Sequence, residues 1–148
     1  MTMEKIHHFD SFSIVNGDVN IRVNLDPLSE RFNRAQYQLD SMIMTSMEPF
    51  MPFQDGTFIN ETKAASAAMA GTGWVCGGVP HQGRFLYEGK AMVGEKSRSA
   101  WAKQGEKKVT TGNNLTYSNG RQSHWFDAAK RADKSMWVRE TKKIAGGG

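Results

Sequence analysis

An α+β fold follows from three features of this 148-residue sequence. Residues 12–25 alternate apolar and polar side chains around an Asn16-Gly17 turn, the pattern of a β-hairpin. Residues 29–48, and again the segment from Ser123 to Lys143, repeat apolar side chains at steps of three and four, which is helical spacing. Between them, short apolar runs are punctuated by glycines, as small strands and turns require. The expected architecture is a long N-terminal helix and a C-terminal helix packed on a small, mainly antiparallel sheet, with an N-terminal β-hairpin and a long extended loop. The length fits one domain over residues 1–148.

In the hairpin, Val19, Ile21, Val23 and Leu25 fall on alternate positions, as a half-buried strand requires, and Asn16-Gly17 suits the positive φ of a primed turn. Asp26-Pro27 breaks the strand. Ser29 is the predicted N-cap of the first helix, with Glu30 favourable in its first turn. Phe32, Ala35, Leu39, Met42, Ile43 and Met47 make its apolar face, and Glu48-Pro49 and Pro52 end it. Met42, Met44 and Met47 crowd its last turns. Core packing accounts for two of them, while three flexible thioethers also suit an adaptable contact surface.

Residues 49–60 carry Phe50, Phe53 and Phe58, which predict an ordered, partly buried loop. Glu61 to Ala70 is small and Ala-rich and predicts a short helix. Trp74-Val75-Cys76 reads as a short strand closed by Gly77-Gly78, and Val79-Pro80 opens the next segment. Phe85, Leu86 and Tyr87 read as a short helix stopped by Gly89, and Ala91-Met92-Val93 as a strand. Residues 94–112, with Gly94, Gly105, Gly112 and the run Gly105-Glu106-Lys107-Lys108, read as a long mobile loop whose one aromatic is Trp101. Leu115-Thr116-Tyr117 reads as a closing strand before the Ser118-Asn119-Gly120 turn. Ser123 would cap the last helix, whose face is Trp125, Phe126, Ala129, Ala132, Met136 and Trp137. Lys142 and Lys143 suit its last turn, and Gly146-Gly147-Gly148 reads as a flexible tail.

Charge is divided along the chain. Nineteen Lys and Arg against fifteen Asp and Glu give a net +4. Residues 1–95 carry seven basic and eleven acidic side chains, whereas residues 96–148 carry twelve and four. A solvated, Lys-rich loop and helix account for much of this, and no basic run reaches five residues. The same asymmetry also suits an electrostatic contact with an acidic neighbour. No apolar run reaches the ~18 residues needed to cross a bilayer. The opening MTMEKIHHFDSF lacks the long apolar core of a signal peptide. The single Cys76 excludes an internal disulfide.

Catalytic constellations are not apparent. His7-His8 are adjacent and point apart, and His81 and His124 are isolated, so no metal-ligand spacing arises. Cys76 with His81 or His124 would imitate a thiol nucleophile and its base. A lone Cys between Val75 and Gly77 is more often a small buried hydrophobe. The glycines at 71, 73, 77 and 78 do not form a dinucleotide fingerprint. Arg84, Glu88 and Lys90 form a charged cluster in which Glu88 lacks a paired acid. The expectation is no enzyme, no metal and no cofactor.

Four stretches carry a resemblance. They are Pro52-Phe53-Gln54-Asp55-Gly56-Thr57-Phe58-Ile59-Asn60, then Arg84-Phe85-Leu86-Tyr87-Glu88-Gly89-Lys90-Ala91-Met92-Val93. Next come Ser99-Ala100-Trp101-Ala102-Lys103-Gln104-Gly105-Glu106-Lys107-Lys108, and finally His124-Trp125-Phe126-Asp127-Ala128-Ala129-Lys130. In this order they resemble the minor capsid and head–tail connector (neck, tail-completion) proteins of siphophages, over residues 28–140. Gly73-Trp74-Val75-Cys76 and Pro80-His81-Gln82-Gly83 depart from the more tyrosine-rich family pattern, and the hairpin lies outside the match.

The resemblance implies a structural virion protein in a ring, expected to be hexameric, at the head–tail junction. Implied partners are copies of itself, a head-completion or adaptor protein, and a tail terminator or tail tube protein. Non-specific proximity to DNA in the channel is also implied. The protein would be made in the host bacterial cytoplasm and end in the virion, with no membrane contact. Tail terminator and stopper are neighbouring roles of the same junction. A nucleic-acid-binding module using the basic C-terminal part is the alternative from another class. A ring needs two different patches on each subunit. Trp101, Lys103, Lys107 and Lys108 on the loop, with Arg84 and Lys90, are the interface candidates, Trp101 being the anchor.

Overall fold

In a computed structural model of the chain, residues 6–79 and 83–146 are described. Met1–Lys5, His81 with its neighbours Pro80 and Gln82, and the last two glycines of the tail lie outside them. The described residues form an α+β fold with four helices and two antiparallel two-stranded sheets. In order these are β1 (Phe12–Asn16), β2 (Val19–Val23), α1 (Asp26–Met47), α2 (Thr57–Met69), α3 (Gly83–Glu88), β3 (Lys90–Gly94), β4 (Lys108–Asn114) and α4 (Trp125–Gly146). The two sheets are separate ribbons, and the most extensive packing between elements is that of α1 on α4.

The first helix starts earlier than expected. Leu25, not Ser29, precedes it, and Pro27 sits in its first turn, where the missing N–H has no partner to lose. Ser29 is already inside the helix; its hydroxyl donates to the Leu25 carbonyl (3.2 Å) and accepts the Phe9 N–H (2.8 Å). A 3₁₀ turn at Glu48–Phe50 ends the rod. Arg121 then donates Nη1 to the carbonyls of Glu48 (3.1 Å) and Met51 (2.6 Å), placing a cation on the acceptor end of the helix. Phe53, expected to be buried, is exposed, and its ring lies 5.2 Å beneath that guanidinium.

One core joins the helices. Met44, Met47, Met51, Ile59, Trp125, Ala129 and Trp137 are its buried members. Met44 and Met51 therefore belong to the core alongside Met47, each contributing about 1.5–3 kcal/mol by burial. Trp137 Nε1–H donates to Ser46 Oγ (3.0 Å) and Trp125 Nε1–H to the Gly77 carbonyl (3.0 Å), so both indoles are buried with their polar atom satisfied. On α4, Ala128 is buried while Ala132 and Phe126 face solvent, so the inward stripe is rotated from the expected one. His124, at φ +51°, precedes the helix in place of Ser123.

The loops bring further corrections. Trp74-Val75-Cys76 is not a strand. Its backbone is held by side chains instead: the Cys76 N–H donates to Ser66 Oγ, which donates to the Cys76 carbonyl. Leu115–Tyr117 is not a strand either. The Leu115 N–H donates to the Gly89 carbonyl (2.7 Å), and the Tyr117 hydroxyl donates to the Leu86 carbonyl. Gly89 stops α3 at φ +73°, and a Cβ there would come within 2.7 Å of Ser123 Cβ, so both the turn and the close approach require glycine. No helix among the described residues is long and apolar enough to cross a membrane.

Candidate functional site

Two solvent-facing ribbons carry the residues of interest. The first is β1–β2. Its register pairs Phe12 with Val23, Ile14 with Ile21 and Asn16 with Val19. The loop is therefore Gly17-Asp18 rather than Asn16-Gly17, with Gly17 at φ +60°. Because side chains alternate across a strand, Phe12, Ile14, Val19, Ile21 and Val23 share one face. The sequence predicts that face half-buried; it is open instead. Phe12, Ile14, Val19 and Ile21 are 50–57% exposed. The ribbon is tied down at its base, where the Leu25 N–H donates to Ser11 Oγ (2.8 Å) and the Ser11 hydroxyl donates to Asn24 Oδ1 (3.2 Å).

The second ribbon replaces the expected mobile loop at 94–112. Its flanks are β3 and β4, paired from Lys90 opposite Asn114 to Gly94 opposite Lys108, with an irregularity between Lys90 and Met92. The tip, residues 95–107, is held by backbone bonds such as the Glu95 N–H to the Lys107 carbonyl (2.9 Å) and by the Glu106 side chain. Glu106 Oε1 accepts the N–H groups of Lys96 (2.8 Å) and Ser97 (2.6 Å); Oε2 accepts the Lys103 N–H and the Ser97 hydroxyl (2.9 Å each). These donors, the Ser97 and Lys103 N–H groups foremost, hold its pKa at about 2 against the ordinary 4.5. A carboxylate thus satisfies backbone groups that a long turn would leave to water.

This ordering sets where the interface candidates stand. Trp101 lies at the tip, 87% exposed, with its backbone N–H on Ser99 Oγ (3.2 Å). Lys103, Lys107 and Lys108 are exposed beside it at the distal end. Arg84 and Lys90 belong to the root of the ribbon. Arg84 Nε lies 3.6 Å from Glu88 Oε1 across one turn of α3, and Lys90 Nζ donates to Asn114 Oδ1. The six candidates therefore divide into an apolar-tipped cationic end and a separate, internally paired base.

The residues weighed for chemistry are engaged elsewhere. Cys76 Sγ donates to the Gly78 carbonyl (3.0 Å). His124 lies edge-on to Tyr87 (4.9 Å between centroids) and 3.8 Å from Asp127. Burial, and then the Asp127 charge, push the Tyr87 hydroxyl pKa up. His81 lies outside the described residues. Among the described residues, no three His, Cys, Asp or Glu side chains gather where a metal ion could bind.

Contacts between distant segments escape sequence reasoning. Asp40, 4% exposed, accepts Gln36 Nε2–H (2.7 Å) on Oδ1 and the N–H groups of Gly71 (2.8 Å) and Gly73 (3.0 Å) on Oδ2. Its two glycine partners lie over thirty positions away, beyond any local pattern. Val109-Thr110-Thr111 was a legible β-branched signal for β4.

A groove also runs between α1 and α4, about 390 Å³, with Leu39, Ile43, Phe126, Trp137 and Val138 as its apolar wall and Lys130, Lys134 and Lys142 along its rim. Comparison with protein-family models, with curated proteins and with solved structures finds no match to this chain.

Proposed function

We propose that this chain is a structural subunit of a siphophage neck, one of a ring of identical copies at the head–tail junction, with a role in tail completion. The observation that supports it most is the second ribbon: an ordered arm, locked by Glu106, that holds Trp101 in solvent. A large apolar side chain fixed in place and left uncovered loses little conformational freedom when a partner closes over it, and tryptophan is enriched among interface hot spots. The four resembling stretches supply the virion context. In this reading the chain is not an enzyme and needs no cofactor. It is made in the host bacterial cytoplasm, and its partners are copies of itself, a head-completion or adaptor protein and a tail terminator or tube protein. Six copies is the proposed ring.

Light scattering on the protein alone and mixed with adjoining neck proteins tests this. Oligomers, together with particles that fail to join heads to tails when the chain is missing, are the expected results. A strict monomer under both conditions, with normal joining of particles lacking the chain, refutes the reading.

One observation favours a second reading, contact with nucleic acid. Along α4, Arg131 and the groove-rim lysines Lys130, Lys134 and Lys142 are all exposed. DNA binding whose affinity falls steeply with salt is expected if this face meets phosphates. Absence of such binding at low ionic strength removes it.

A further inference from the structure

We propose that the apolar face of the β1–β2 hairpin seats in the α1–α4 groove of a second copy of this chain. The inference rests on the reading of the protein as a ring-forming subunit, though not on where the ring sits.

Each half of the pairing is incomplete alone. A two-stranded hairpin is marginal in water unless something packs on its face. Here Phe12, Ile14, Val19 and Ile21 are half or more exposed, and no described residue of the chain covers them. The opposite face carries Ser13, Asn20 and Arg22 with Val15 as its one apolar member, so the more apolar side of the ribbon is that of Phe12, Ile14, Val19 and Ile21. The groove has the reciprocal defect. Phe126 and Val138 are 37% and 43% exposed, although Phe126 stacks on buried Trp137.

Charge selects the pairing. Residues 10–26 carry Asp10, Asp18 and Asp26 against Arg22 alone, and Arg22 points away from the apolar face. Asp10 and Asp18 lie at opposite ends of the ribbon. The groove rim carries three lysines and no acid. Opposite charges around an apolar centre fix register and suppress wrong partners. Size agrees as well. Five paired residues make a ribbon about 17 Å long, and Lys130 to Lys142 span about 18 Å of helix.

The seat belongs to another copy. The hairpin joins α1 at Asp26, and residues 7–9 are held at that end by Asn33 and Ser29. The groove lies beyond Leu39, about 20 Å along the helix, and in the isolated chain the hairpin face is open. One patch meeting a different patch on the next subunit leaves one of each free, so the contact propagates and closes into a ring when the rotation allows.

Disulfide trapping tests this, in a Cys76→Ser background that removes the native thiol. Ile21→Cys and Val138→Cys chains are mixed and oxidised. A mixed dimer is expected, with a ladder of linked copies when one chain carries both substitutions. Ile14→Asp, at a half-exposed position whose pairing within the subunit is with Ile21 of its own hairpin, should abolish both products. Preferential Ile21→Cys homodimers would mean that hairpins meet each other, which overturns the proposal. No cross-link, while light scattering still finds oligomers, overturns this pairing and leaves the subunit reading standing. No cross-link together with a strict monomer, alone and with neck proteins, removes both.

Discussion

Replacing Asp40 by Ala removes the acceptor that fastens residues 70–73 to α1. The Gly71 N–H is buried and loses its carboxylate acceptor, at about 1–3 kcal/mol. The Gly73 N–H is closer to solvent and can turn to water, so its loss is about 0.5–1 kcal/mol. The total is about 1.5–4 kcal/mol. Because Asp40 sits near the middle of α1, the helix itself loses little, Ala being the better helix former. Asp40→Asn keeps the shape and one acceptor oxygen and should cost about half as much. Urea unfolding should show the midpoint falling in the order wild type, Asn, Ala with a constant slope. Amide exchange at Gly71 and Gly73 should accelerate before that of α1. An Ala variant with an unchanged midpoint and unchanged protection at Gly71 would refute the assignment of Asp40 as the fastening of this loop.

Three further outcomes follow from other contacts. Glu106 has a depressed pKa, so its ordering of the arm tip is complete above about 4.5 and is lost as pH falls through about 2. Amide exchange at Lys96, Ser97 and Lys103 should accelerate over that range, and Glu106→Gln should show the loose tip at neutral pH without a change in helix content. Arg121→Ala should lower stability by about 1.5–3 kcal/mol, since two carbonyls lose a charged donor, and a calorimetric midpoint checks it. Trp101→Ala should leave stability within about 0.5 kcal/mol, because the side chain is 87% exposed, while weakening assembly measured by light scattering.

What could be read from the sequence was what local spacing determines. The helix over α1 followed from its three-and-four repeat, the stop at Gly89 from glycine after an aromatic turn, and the hairpin from period two. Its start was misplaced because Ser29 is a good cap, whereas Pro27 was the stronger signal for the first turn. Trp74–Cys76 has strand-like composition but no strand to pair with, and a ladder is a property of two segments. The open face of β1–β2 was invisible for the same reason: alternation says that one side wants burial, not whether this chain supplies the cover. Among the interface candidates, the exposure of Trp101 depends on Glu106 reaching back to residues 96, 97 and 103. The contacts of Asp40 and Arg121 join positions about thirty to seventy apart, where sequence spacing carries no information.

Since the two sheets contain two strands each, every strand described here is an edge strand. Each offers a row of hydrogen-bonding groups on one side to any extended peptide that comes alongside. The same property that makes such ribbons useful for joining neighbours makes them templates for unwanted strand addition. If the ribbons join copies of the chain as proposed, polypeptide accumulating faster than it assembles is expected to gather into β-rich deposits, and assembly itself would act as its protection.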